Sequence, residues 1–96
     1  MAEYRLSGKA DEDLVGVYLY TLDEFGESQA DAYLYALEER FEILADNPAI
    51  GRGIEHIREG YRRYEHVSHS IFYKIDDGGV IIMRVLHNSM DTDQHL

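Results

Sequence analysis

Arg84 and His87 stand three residues apart at the end of the last apolar run of a 96-residue chain, and Tyr61, Arg62 and His69 lie on neighbouring runs. An imidazole, a phenol and a guanidinium brought together suit general acid–base cleavage of RNA. One group moves the proton and a cation holds the charge that builds on phosphorus. The competing account is structural, with Arg84 bracing a sheet and His87 capping a strand end. Composition favours the second. The chain has only two lysines and a formal net charge of −10, a field that repels a polyanion.

Other chemistries find less support. His56, His66, His69, His87 and His95 show no two-histidine helical spacing, and there are no cysteines to complete a zinc set. His66 and His69 are three apart, which on one strand puts them on opposite faces. Ser68-His69-Ser70 lies in an apolar run without a Gly-x-Ser-x-Gly elbow, and no cysteine nucleophile exists. Gly51-Arg52-Gly53 is a fragment of a phosphate loop at most. No catalytic residue, metal or cofactor is expected.

The elements that would position these residues can be read in order. Tyr4-Arg5-Leu6 is a brief strand, and Ser7 suits a helix N-cap, with Asp11, Glu12 and Asp13 near the positive helix end. Leu14, Tyr18, Leu22 and Phe25 then share one helical face, widened by Val15 and Leu19, until Gly26 ends the helix. Ser28 and Asp31 have capping-box spacing for a second helix. Its apolar stripe is Tyr33, Leu34, Leu37, Phe41 and Leu44, its outer face carries Glu38, Glu39 and Glu42, and Asn47-Pro48 stops it. So short a link between the two forces an antiparallel helical hairpin.

Residues 49–60 read as a loop, followed by strands at Tyr61–Glu65, Ser68–Ile75 and Val80–His87. Asp76-Asp77-Gly78-Gly79 signals a hairpin with a type I′ turn. That register sets Ile75 opposite Val80, Tyr73 opposite Ile82, Ile71 opposite Arg84, Phe72 opposite Met83 and Lys74 opposite Ile81. Both faces of this sheet are largely apolar, so helices should cover one and a loop or partner the other. The expected fold is α+β in the order β-α-α-β-β-β: a short N-terminal strand, an antiparallel helical hairpin and a three-stranded antiparallel sheet. Residues 1–96 are expected to form a single domain, since so short a chain cannot fill two cores.

No run approaches the ~18 apolar residues of a membrane span. Met1-Ala2-Glu3-Tyr4-Arg5-Leu6 lacks the order of a signal peptide. Without cysteine, the cytoplasm is the expected location. The acidity is uneven. Residues 1–50 carry 3 basic and 12 acidic groups, a net of −9, whereas residues 51–90 carry 6 and 5, a net of +1. Four of the nine basic residues lie between Arg52 and Arg63.

Three stretches give the C-terminal half a family likeness: Ile57-Arg58-Glu59-Gly60-Tyr61-Arg62, Ser68-His69-Ser70-Ile71-Phe72-Tyr73, and Arg84-Val85-Leu86-His87-Asn88-Ser89-Met90-Asp91. Leu44-Ala45-Asp46-Asn47-Pro48 with Gly51 fits the same family's helix-ending segment, and Lys9-Ala10 with Asp13-Leu14 its opening one. In this ordered set the chain resembles the ParE toxins of the RelE/ParE superfamily. It departs from them at Glu65-His66-Val67, where Pro or Gly is common, and at Gly8, where Pro is.

The resemblance implies a toxin of a type II toxin–antitoxin system, encoded beside a ParD-like antitoxin and directed at DNA gyrase. It implies a protein-binding inhibitor in preference to an enzyme, with a RelE-like ribosome-dependent mRNA endonuclease as the alternative. No direct nucleic-acid or membrane partner is expected. Candidate target-binding residues are Arg58, Tyr61, Arg62, Arg84, His87, Met90 and Asp91. Candidate antitoxin-binding residues are Glu38, Glu39 and Glu42 on the acidic hairpin, with Phe72 and Met83 on the second sheet face.

Overall fold

The structure, a computed structural model, describes residues 3–96. Met1 and Ala2, the start of the run read against a signal peptide, lie outside the described residues. The elements are β1 (Glu3–Leu6), α1 (Gly8–Phe25), α2 (Glu27–Asp46), a 3-10 turn (Pro48–Ile50), β2 (Arg52–Gly53), β3 (Tyr61–His66), β4 (His69–Asp76), β5 (Gly79–His87) and α3 (Thr92–His95). The α+β order is as expected, but the sheet is mixed. Its strands run β1-β5-β4-β3-β2, with β1 parallel to β5 and every other pair antiparallel. Within the stretch expected to be loop, Arg52 and Gly53 pair with Arg63 and Arg62 as a small edge strand. No helix among the described residues is long and apolar enough to cross a membrane.

Local chemistry sets the helix ends. Ser7 is extended and accepts a hydrogen bond from the Ala10 N–H at 3.0 Å, as an N-cap should. Its own hydroxyl donates to the Met83 carbonyl at 2.8 Å, tying the start of α1 to β5. Gly26, at φ 91°, ends α1 and also serves as N-cap of α2. The Ser28–Asp31 capping box is therefore not used: α2 already begins at Glu27, one residue ahead of Ser28, without a side-chain cap.

The helical face that α1 buries differs from the expected one. Ala10, Leu14 and Thr21 are buried and Val17 packs on the same core, whereas Val15, Leu19, Leu22 and Phe25 remain exposed. Small side chains let α1 lie close to the sheet, and the larger ones point away. With Leu37, Phe41 and Leu44 of α2, this face covers Ile71, Tyr73, Val80, Ile82 and Val85. The opposite sheet face carries a second cluster of Ile54, Tyr61, Phe72 and Leu86, on which Ile57, Met83 and Leu96 pack. The chain's own 54–61 segment and its last residue thus cover the second apolar face.

The β4–β5 register holds at Ile75–Val80, Lys74–Ile81 and Tyr73–Ile82, then shifts at a bulge. Beyond it Phe72 pairs with Arg84 and Ile71 with Val85, so neither Phe72–Met83 nor Ile71–Arg84 forms. Met83 is the extra residue, and the bulge re-aims Arg84. The hairpin turn is not type I′, because Gly78 takes a positive φ and Asp77 does not. At the other hairpin, Val67 itself adopts φ 52°, closing β3 onto β4 where glycine is absent. Gly51 is held by Tyr73, whose hydroxyl accepts its N–H at 2.9 Å and donates to the Pro48 carbonyl at 2.7 Å.

Candidate functional site

Two open clefts, of about 620 and 650 Å³, share Glu12, Arg84 and His95. The first runs between α1 and β5 and is lined by Asp13, Gly16, Tyr20, His69, His87 and Met90 among others. The second brings Arg58, Tyr61 and Met83 beside Ser7, Lys9 and Leu96. Four expected target-binding residues therefore gather around Arg84, in two groups: Arg58 and Tyr61 on one side, His87 and Met90 on the other. Two do not join them. Arg62 donates to the Ala49 and Gly51 carbonyls and holds the loop before β2. Asp91 caps α3 by accepting the Asp93 N–H at 3.1 Å.

Arg84 is the hinge of this region, and it is neutralised. Its Nε donates to Asp13 Oδ2 at 2.8 Å and its Nη2 to Asp13 Oδ1 at 3.0 Å, with both side chains less than one-fifth exposed. Asp13 Oδ2 also accepts the Val85 N–H at 3.0 Å, and Arg84 Nη1 donates to the His95 carbonyl at 2.8 Å. Hydrogen bonding to Asp13 raises the pKa of the guanidinium further. Arg58 lies 5.7 Å from the Tyr61 ring centroid, in cation–π range, and donates to the Leu96 carbonyl. The sequence signal for Asp13 was its place near the positive end of the first helix, which suggested a dipole role and not a counter-ion.

Histidines form a second feature. His66 pairs with His69 across the β3–β4 hairpin, and His69 with His87 across β4–β5. Contrary to expectation, then, His66 and His69 face the same side, because the Val67-Ser68 turn puts them on different strands. Tyr33 of α2 bridges to His69 Nδ1 at 2.7 Å, and the His69 and His87 rings meet edge to face at 5.3 Å. Burial, then the neighbouring His87 and His66, push His69 down to about 4. Burial and Arg40 lower His66 as well. His87 Nδ1 accepts the Ser89 N–H at 3.1 Å. The neutral form of His66 and His69 is thereby favoured, and among the described residues no carboxylate hydrogen-bonds to either. No group of three or more metal-ligating side chains is assembled among the described residues.

The acidic candidates lie apart from both clefts. Glu38, Glu39 and Glu42 are exposed along α2. Phe72 is buried under Ile54, Tyr61 and Leu86, and Met83 is partly buried beside them. Phe72 therefore offers no surface unless that cover moves.

Residues 4–92 match the family model described as ParE toxin of type II toxin-antitoxin system, parDE. The chain belongs to the ParE toxin family. It is 40% identical over 96 residues to Toxin ParE1 of Mycobacterium tuberculosis, covering 99% of this chain and 98% of that protein. It is also 40% identical to Toxin ParE1 of Caulobacter vibrioides, covering 100% and 99%. A solved chain of the chromosomal ParDE TA system from P. aeruginosa shares the ParE fold at a TM-score of 0.76 and 22% identity, covering 91% of this chain and 96% of that one. The ParE chain described here is thus a toxin of the type II class, built so that its central arginine is spoken for by its own Asp13.

Proposed function

We propose that this ParE toxin, acting as one domain in the cytoplasm, inhibits DNA gyrase by binding it and is neutralised by a ParD-like antitoxin. The observation that carries the non-nuclease reading is the Asp13–Arg84 pair. A nuclease needs a cation free to meet the charge on phosphorus, and Arg84 already has a carboxylate on it. His69 is engaged by Tyr33 and His87 by Ser89, which further weakens the acid–base alternative. Arg58, Tyr61, Arg84, His87 and Met90 remain the surface assigned to the target, with Arg62 and Asp91 supporting its loop and tail.

Inducing the toxin alone tests this reading. DNA breaks, filamentation and loss of supercoiling by purified gyrase are expected; immediate translation arrest with cleaved mRNA would instead make the chain a RelE-like endonuclease. On the antitoxin side, Glu38, Glu39 and Glu42 supply the field that speeds encounter with a basic segment. Reversing those three charges should slow association at low salt, and an unchanged on-rate removes that role.

A further inference from the structure

A glycine midway along a helix weakens it, and Gly16 of α1 has no conformational reason to be one, since its φ is not positive. Packing does not require it either, because a Cβ there would meet nothing within 4 Å. Gly16 lies on the wall of the cleft of about 620 Å³, four residues from Glu12 on one side and from Tyr20 on the other. Across the cleft stand the end of β5 and the turn after it, with Met90. Tyr20 is 61% exposed and Met90 45%, so two large apolar side chains border a space that no described residue fills. A side chain at position 16 would occupy that space, and glycine keeps it open.

The charges around the cleft state what fits there. Arg84 is paired with Asp13, and Glu12 acts on the same guanidinium from further away. Two carboxylates thus answer one cation. Glu12 is exposed and makes no ion pair among the described residues, so the excess negative charge is open to a partner. A phosphate or a carboxylate would be repelled by it, and an apolar side chain would desolvate it without a partner. A second copy of the chain would bring another −10 against the first. An arginine or lysine meets every wall at once. Its aliphatic stem covers Met90 and passes close to the helix over Gly16, while its charged head reaches the Tyr20 ring and the Glu12 carboxylate.

We infer that the cleft over Gly16 receives a cationic side chain, arginine or lysine, from the gyrase surface that this toxin binds, with Glu12 and Tyr20 as its contacts. This rests on the gyrase reading above and deepens it by adding one side of α1 to the target surface and naming the chemistry that enters.

The test is inhibition of supercoiling by purified gyrase, using the full chain as wild type, Gly16→Leu, Glu12→Lys and the control Ala32→Leu. Ala32 is exposed on α2 and lines neither cleft. Gly16→Leu should keep or raise its thermal midpoint, because leucine is the better helix former. It and Glu12→Lys should each need at least ~10-fold more toxin for half-inhibition, while Ala32→Leu inhibits as wild type. If Gly16→Leu fails to fold, Tyr20→Ser takes its place with the same expected loss, since Tyr20 lies outside both apolar clusters. Unchanged inhibition by Gly16→Leu and Glu12→Lys overturns the inference and leaves the gyrase reading intact. A loss with Gly16→Leu alone shows an occupant without positive charge, and a loss with Glu12→Lys alone places the charge outside the cleft; either overturns it. Weaker binding of the adjacent antitoxin with gyrase inhibition kept would give the cleft to the antitoxin and overturn it too. No inhibition by wild type overturns both readings.

Discussion

Asp13 and Arg84 join α1 to β5 through a two-pronged carboxylate–guanidinium pair, and the same Asp13 oxygen also holds the Val85 N–H. One side chain thereby fixes a helix, a bulged strand and, through the Arg84 bond to the His95 carbonyl, the C-terminal turn.

Asp13→Asn is expected to destabilise the fold by about 3 kcal/mol, because a half-buried guanidinium loses its counter-charge and is left imperfectly paired. Urea denaturation measures this. A midpoint within error of wild type would mean the pair contributes no more than an exposed surface bridge.

Stability should fall as pH drops from about 6.5 towards 4. His69 has a folded pKa of about 4, below the ordinary imidazole value of 6.5, so the unfolded chain binds the proton first in that interval. The stability it contributes is complete above 6.5 and lost as pH falls through the folded value, with His66 shifted in the same direction. The groups facing His69 are Tyr33, His66 and His87, and Arg40 acts on His66. Thermal midpoints between pH 7.5 and 4.5 should show a shallower decline for His69→Asn than for wild type.

Val67→Gly should stabilise the protein by about 1 kcal/mol, since a β-branched residue at positive φ carries a local cost that glycine avoids. Val67 is three-quarters exposed, so little packing is lost. A drop in thermal midpoint would show that the turn draws stability from the valine side chain.

Gly51→Ala should cost about 2–3 kcal/mol by overpacking, because a Cβ there would lie 2.5 Å from the Tyr73 hydroxyl and 2.8 Å from the Arg63 carbonyl. Gly53→Ala, whose Cβ meets nothing closer than 3.8 Å, is the matched control and should be nearly neutral. Equal effects at the two positions would refute the packing explanation.

What the sequence announced was local. Ser7, Gly26, Asn47-Pro48 and the Asp76–Gly79 turn act on their immediate neighbours, and each bounds the element it was expected to bound. What it hid depends on distant partners. The buried face of α1 is built from Ala10, Val17 and Thr21, whose small size matters only once a sheet lies beneath them. The Met83 bulge leaves no composition signal, and it moves Arg84 opposite Phe72. The approach of His66 to His69 rests on one unusual valine, and the role of Asp13 on a partner 71 residues away. The clustering of Arg58, Tyr61, Arg84 and His87 was legible as residue types along the strands, whereas its division by a neutralised arginine was not.

The parallel pairing of β1 with β5 has a consequence for biogenesis. Residues 3–6 leave the ribosome more than seventy residues ahead of their partners at residues 79–82. The helical hairpin therefore emerges with no sheet to fold against, and its first strand waits for nearly the whole chain. A nascent copy carries the acidic, apolar outer face of the hairpin well before it carries the finished clefts around Arg84.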